Sequence, residues 1–93
     1  EYIGVTIVSS KCDEIKEMIY NKLGRGVTVY NGKKGFGKRG MKEDSDIIFT
    51  VITRLEVSKL TTELEKIAPT AFVVMHTAKD TKGGMIKKRP LKH

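Results

Sequence analysis

Residues 46–54 set the first constraint on how this chain can fold. The run Asp46-Ile47-Ile48-Phe49-Thr50-Val51-Ile52-Thr53-Arg54 is dense in β-branched and aromatic residues and reads as a strand. Alternate residues of a strand point to opposite faces. Ile47, Phe49 and Val51 therefore line one face, and Ile48 and Ile52 the other. A sheet covered by helices on one side needs only one apolar face, because its second face can meet water. Two apolar faces argue that the second is buried against another subunit or domain.

The other segments supply the partners of this strand. Residues 2–9 are rich in β-branched side chains, with Ile3, Val5 and Ile7 on one face. Ser10 is placed to cap a helix over about 11–23, with Asp13 and Glu14 in its first turn. Cys12, Ile15, Ile19 and Leu23 follow at helical spacing, and Gly24 ends the run. Val27–Tyr30 form a second strand, after which Asn31-Gly32 starts a turn. A glycine-rich, charged loop then runs to about Ser45, holding Gly32, Gly35, Gly37 and Gly40. A second helix begins near Ser58, carries Leu60, Leu64 and Ile67 inward, and is ended by Pro69. Ala71–His76 supply a fourth strand, again apolar on both faces.

The order is β-α-β-β-α-β, the split arrangement also called ferredoxin-like. Right-handed crossovers put both helices on one face of a four-stranded antiparallel sheet in an α+β domain. Residues 1–78 are expected to form this one domain, and 79–93 a basic, partly ordered tail. A 93-residue chain has room for one domain and a thin stability margin, which favours help from an oligomer or a neighbouring segment.

Charge is unevenly spread within a net +7. Lys33, Lys34, Lys38, Arg39 and Lys42 crowd the central loop against Glu43 and Asp44. Lys79, Lys82, Lys87, Lys88, Arg89 and Lys92 crowd the tail against Asp80. The rest is close to neutral. Such a field suits phosphates, nucleic acid or an anionic membrane surface, or simply keeps the chain soluble. The single cysteine, Cys12, precludes an internal disulfide and fits a reducing compartment. No apolar run approaches the roughly 18 residues a membrane helix needs, and no signal peptide is visible. The first residue is Glu1 and not Met, so the chain is expected to be a fragment of a longer protein.

Several motifs fail on context. Gly35-Phe36-Gly37-Lys38-Arg39-Gly40 fits G-x-G-x-x-G, but a dinucleotide site needs that motif to open a helix, and here a strand follows. Gly32–Lys38 fits the start of a phosphate-binding loop, yet Arg39 stands where Ser or Thr would hold magnesium. Lys34-Gly35-Phe36-Gly37 begins like the RNA-recognition consensus but lacks the later aromatics that stack bases. His76 and His93 have no second ligand at a recognisable spacing, and Cys12 falls on an apolar helix face, so no metal or nucleophile set emerges. A non-enzymatic module without a cofactor is expected. The physical residue of this search is a glycine-rich loop whose backbone N–H groups and lysines can wrap an anion.

Val5-Thr6-Ile7-Val8-Ser9, Ile15 to Leu23, Gly24-Arg25-Gly26-Val27-Thr28, Arg54-Leu55-Glu56 and Pro69-Thr70-Ala71-Phe72-Val73 resemble the C-terminal cytosolic domain of the YitT family of bacterial membrane proteins. The resemblance spans roughly residues 3–84. It departs at the C-terminal end, where Lys79-Asp80 and Lys82-Gly83-Gly84-Met85 replace a His-Glu and a Gly-x-Gly-Phe segment. It implies membrane helices before Glu1, a position at the cytoplasmic face of the cell membrane, and a fold akin to PII-like signalling proteins. Those are often trimers that bind nucleotides between subunits, with a long loop between the second and third strands.

The resulting expectation is a regulatory domain that binds a small anionic metabolite or nucleotide. Arg25, Gly26, Gly35, Phe36, Gly37 and Lys38 are its expected site residues, with Arg54 and Gly83 secondary. Arginines and Lys38 pair phosphate oxygens, and the glycines permit close backbone approach. The alternatives are an assembly domain that only forms a trimer or dimer and, less favoured, nucleic-acid binding by the basic loop and tail.

Overall fold

The computed structural model describes residues 1–33 and 44–78. β1 (Tyr2–Val8) leads into α1 (Cys12–Met18), which continues as a π-helical turn over Ile19–Leu23. β2 (Thr28–Lys33) and β3 (Asp44–Thr53) follow; a 3₁₀ turn (Arg54–Glu56) then opens α2 (Val57–Ile67), and β4 (Phe72–Thr77) closes the order. The sheet is antiparallel throughout, in the order β2-β3-β1-β4. The α+β, ferredoxin-like architecture is as expected. The tail at 79–93 lies outside the described residues.

One face of the sheet carries the core. Ile3, Val5 and Ile7 of β1 and Ile48 and Ile52 of β3 are buried against Cys12, Ile15, Met18 and Ile19 of the first helix and Leu60 and Leu64 of the second. Val73 and Met75 of β4 pack at its margin. The period of two in the strands and the i, i+3/i+4 spacing in the helices are what bring these residues to one layer. Burial keeps the Cys12 thiol in its protonated form by pushing its pKa up, with the nearby Asp46 carboxylate adding to the effect.

Two local expectations are corrected, at Ser10 and at Asn31-Gly32, and the two helices, placed as expected, gain detail at their ends. Ser10 does not cap α1. The Lys11 N–H donates to Ser9 Oγ at 3.0 Å, a side-chain turn two residues long, and Lys11 occupies the cap position without a side-chain bond. Asn31 and Gly32 do not turn. They extend β2, opposite Asp46 and Ser45, because continuing the ladder satisfies their backbone groups. The first helix changes to π geometry at Ile19 before Gly24, at φ 68°, ends it. α2 is entered earlier than Ser58, through the turn at Arg54–Glu56.

Candidate functional site

Gly24 is left-handed, a conformation that costs a residue without Cβ little. Its N–H donates to the Tyr20 carbonyl at 3.2 Å, and the Arg25 N–H to the Ile19 carbonyl at 3.3 Å. This closure turns the chain sharply and aims Arg25 across the end of β3. There its guanidinium meets Glu56, donating from Nε to Oε1 at 3.0 Å and from Nη2 to Oε2 at 3.2 Å. Glu56 Oε1 also accepts the Thr53 N–H at 2.9 Å, completing a capping box with Thr53 at the start of the 3₁₀ turn. Partial burial acts to raise the Glu56 pKa, but the Thr53 N–H and the Arg25 cation outweigh it and hold the carboxyl below its ordinary value.

β2 begins its pairing only at Thr28 opposite Phe49. Ahead of that point the ladder is absent, and Arg25–Thr28 with Phe49–Val51 line an open groove of about 440 Å³. Thr50 Oγ1, buried on the core side, donates to the Gly26 carbonyl at 2.8 Å and ties this segment to β3. Arg25 and Gly26 thus come together on this groove. Arg54 does not join them in it: its Nη2 pairs with Glu1 Oε2 at 3.2 Å on the exposed surface. Gly35, Phe36, Gly37, Lys38 and Gly83 lie outside the described residues. Among the described residues no three His, Cys, Asp or Glu side chains converge as a metal site.

Glu56 is the site residue that sequence reasoning passed over. The signal was present in Thr53-Arg54-Leu55-Glu56, a Thr-x-x-Glu capping box ahead of an apolar helix.

The open face of the sheet is the second candidate surface. Register places Tyr30, Ile47, Val8 and Phe72 in one row across it, Thr28, Phe49, Thr6 and Val74 in the next, and Val51, Gly4 and His76 in a third. Phe72 is 64% exposed, Tyr30 53% and Val74 43%. Among the described residues on this face none is Asp, Glu, Lys or Arg, in a chain where 31% of residues are charged.

Residues 25–83 match the model of a bacterial protein family described as an uncharacterized protein conserved in bacteria (DUF2179). The chain belongs to the DUF2179 family. Its relatives include two UPF0750 membrane proteins of Bacillus subtilis (strain 168), YpjC and YitT. YpjC is 35% identical over 80 residues, 86% of this chain and 26% of YpjC. YitT is 39% identical over 66 residues, 71% of this chain and 22% of YitT. The chain spans about a quarter of the length of these curated relatives. A DUF2179 protein from Eubacterium ventriosum has the same fold, with a TM-score of 0.67 at 25% identity over 82% of this chain and 99% of that one. Arabidopsis thaliana PII bound to citrate aligns with a TM-score of 0.64 at 18% identity, over 81% of this chain and 75% of that one. The expected YitT-family membership and PII-like fold therefore hold for this DUF2179 domain. No helix among its described residues is long and apolar enough to cross a membrane.

Proposed function

We propose that this DUF2179 domain is a non-catalytic assembly and regulatory module on the cytoplasmic side of a multi-span membrane protein, and that copies of it associate through the open face of the sheet. The observation that carries this reading is the uncharged, largely apolar face formed by Tyr30, Ile47, Phe49, Phe72 and Val74. An exposed apolar patch of this kind marks an interaction site. A chain with net charge +7 repels its own copies, so copies approach most easily where no cation stands. An acidic partner or an anionic lipid surface would be drawn to cations, which this face lacks among its described residues. Membership of the DUF2179 family, whose relatives are membrane proteins, supports the attachment.

Light scattering on the purified chain tests the assembly. The native sequence is expected as a trimer or dimer of the 10.4 kDa chain, and Phe72→Lys with Val74→Asp as a folded monomer. A monomeric native chain, or a doubly substituted chain of unchanged mass, would remove the reading.

A second reading is favoured by the groove beside Arg25 and Gly26. In it the assembled domain binds a small anionic metabolite or nucleotide, with the Arg25 guanidinium exchanging part of its contact with Glu56 for the ligand. Lys38, Gly35, Gly37 and Phe36, expected from sequence to contribute, lie outside the described residues. Citrate bound to PII, on the same fold, supports the ligand class. Thermal melts with citrate and with ATP test it. Ligand at a hundred times its dissociation constant adds about 2.7 kcal/mol, and Arg25→Ala is expected to abolish the shift. A shift that survives this substitution would exclude Arg25 from the site.

A further inference from the structure

His76 occupies an unusual place on the open face. It lies opposite Gly4 in the β1–β4 register. A Cβ added to Gly4 would stand 2.8 Å from His76 Nε2 and 2.9 Å from Cε1. The missing side chain at Gly4 therefore lets the exposed imidazole lie over β1, on the open face. Its surroundings can be read from the strands. β1 offers Tyr2 and Thr6, β3 offers Val51, Thr53 and Phe49, and β4 itself offers Val74. Tyr2 is the one other titratable group in that set. Among the described residues the charges at this end of the strands, Glu1 and Arg54, pair with each other at 3.2 Å. No carboxylate among the described residues of the face stands ready to receive a histidine cation.

We propose that His76 makes association between copies of this domain acid-sensitive: the neutral imidazole fits within the interface, and its protonation drives the copies apart. The proposal rests on the reading that copies meet through the open face. A charge buried without a partner is strongly disfavoured, and histidine is the side chain whose charge changes between pH 5 and 8. In a symmetric assembly every copy brings its own His76 to the shared surface, so protonation places like charges there and the penalty is multiplied.

Sedimentation velocity at pH 8 and pH 5 tests this, on the native chain and on His76→Gln and His76→Lys, with circular dichroism confirming the fold in each condition. The native chain is expected to be assembled at pH 8 and to lose at least tenfold in association at pH 5. His76→Gln should stay assembled at both pH values, and His76→Lys should be monomeric at both. Equal assembly of the native chain at pH 8 and pH 5 would overturn the proposal while leaving the assembly reading intact. So would a pH dependence unchanged in His76→Gln. A native chain that is monomeric at both pH values would overturn the two together.

Discussion

Glu56 holds three parts of the chain with one carboxylate: the Thr53 backbone, the 3₁₀ turn and the guanidinium of Arg25, 31 residues away in sequence. Its removal therefore takes away a cap and leaves Arg25 half-buried without its acceptor. Glu56→Ala is expected to destabilise the fold by about 1–2 kcal/mol, the range of a lost cap with a partly screened ion pair. In a domain of this size that lowers the melting temperature by roughly 4–16 °C. The pH dependence follows from the same contacts. The Glu56 pKa is lowered in the folded state from an ordinary 4.5, so its stabilisation is full above the unfolded value. It fades as pH falls through the folded one. Thermal melts from pH 7 to pH 3 should show the native chain losing more stability than Glu56→Gln. Equal slopes would show that the carboxylate is not held as described. At Gly4 a methyl group meets the end of a flexible side chain. Gly4→Ala is therefore expected to cost under about 1.5 kcal/mol in a chain that otherwise folds normally. A double-mutant cycle with His76→Ala should reveal their coupling, since truncating the imidazole clears the space.

Among the elements, the first helix has the most consequence for the site. It ends in a π turn and a left-handed Gly24, and that ending aims Arg25 at Glu56. Gly24→Ala should cost about 1 kcal/mol, the strain of a Cβ at positive φ, and a denaturant midpoint unchanged by it would contradict this geometry. Leu60→Ala, in the middle of α2 and fully buried, should cost about 2–5 kcal/mol by the same assay. The sheet and both helices were legible in the sequence because their apolar periods are local. Ile3, Val5 and Ile7 could be assigned to one face of β1 from spacing alone, and both faces of β3 could be seen to be apolar. Asn31-Gly32 misled for the opposite reason. Its turn preference is local, whereas its pairing with Asp46 and Ser45 is tertiary and prevails. Ser10 does not cap the helix because the cap position falls one residue later, on Lys11, whose N–H is held by Ser9 Oγ, and propensity does not separate two adjacent hydroxyls. Of the site, Arg25 and Gly26 were visible as an Arg-Gly step before a strand. The partnership of Arg25 with Glu56 was not, because nothing periodic links positions 31 residues apart. The π turn left no sequence mark at all.

At the scale of the whole molecule, the domain presents two unlike sides. The helical side buries the core and carries surface ion pairs such as Lys22–Glu63 and Lys16–Asp13, which screening by solvent makes weak. The sheet side is free of formal charge among its described residues and exposes Phe72, Tyr30 and Val74. Water on that side leaves apolar surface unpaid for at a scale of about 25 cal/mol per Å², and a second copy offers the same uncharged surface in return. Tethering in a membrane would raise the local concentration of copies, so even modest affinity between isolated domains becomes effective there. The most direct measurement of this central claim is sedimentation velocity on the purified native chain at pH 8, over a hundredfold range of concentration. The account predicts a boundary that moves from near the 10.4 kDa monomer to a defined dimer or trimer as concentration rises. A single species at monomer mass across the whole range would contradict it.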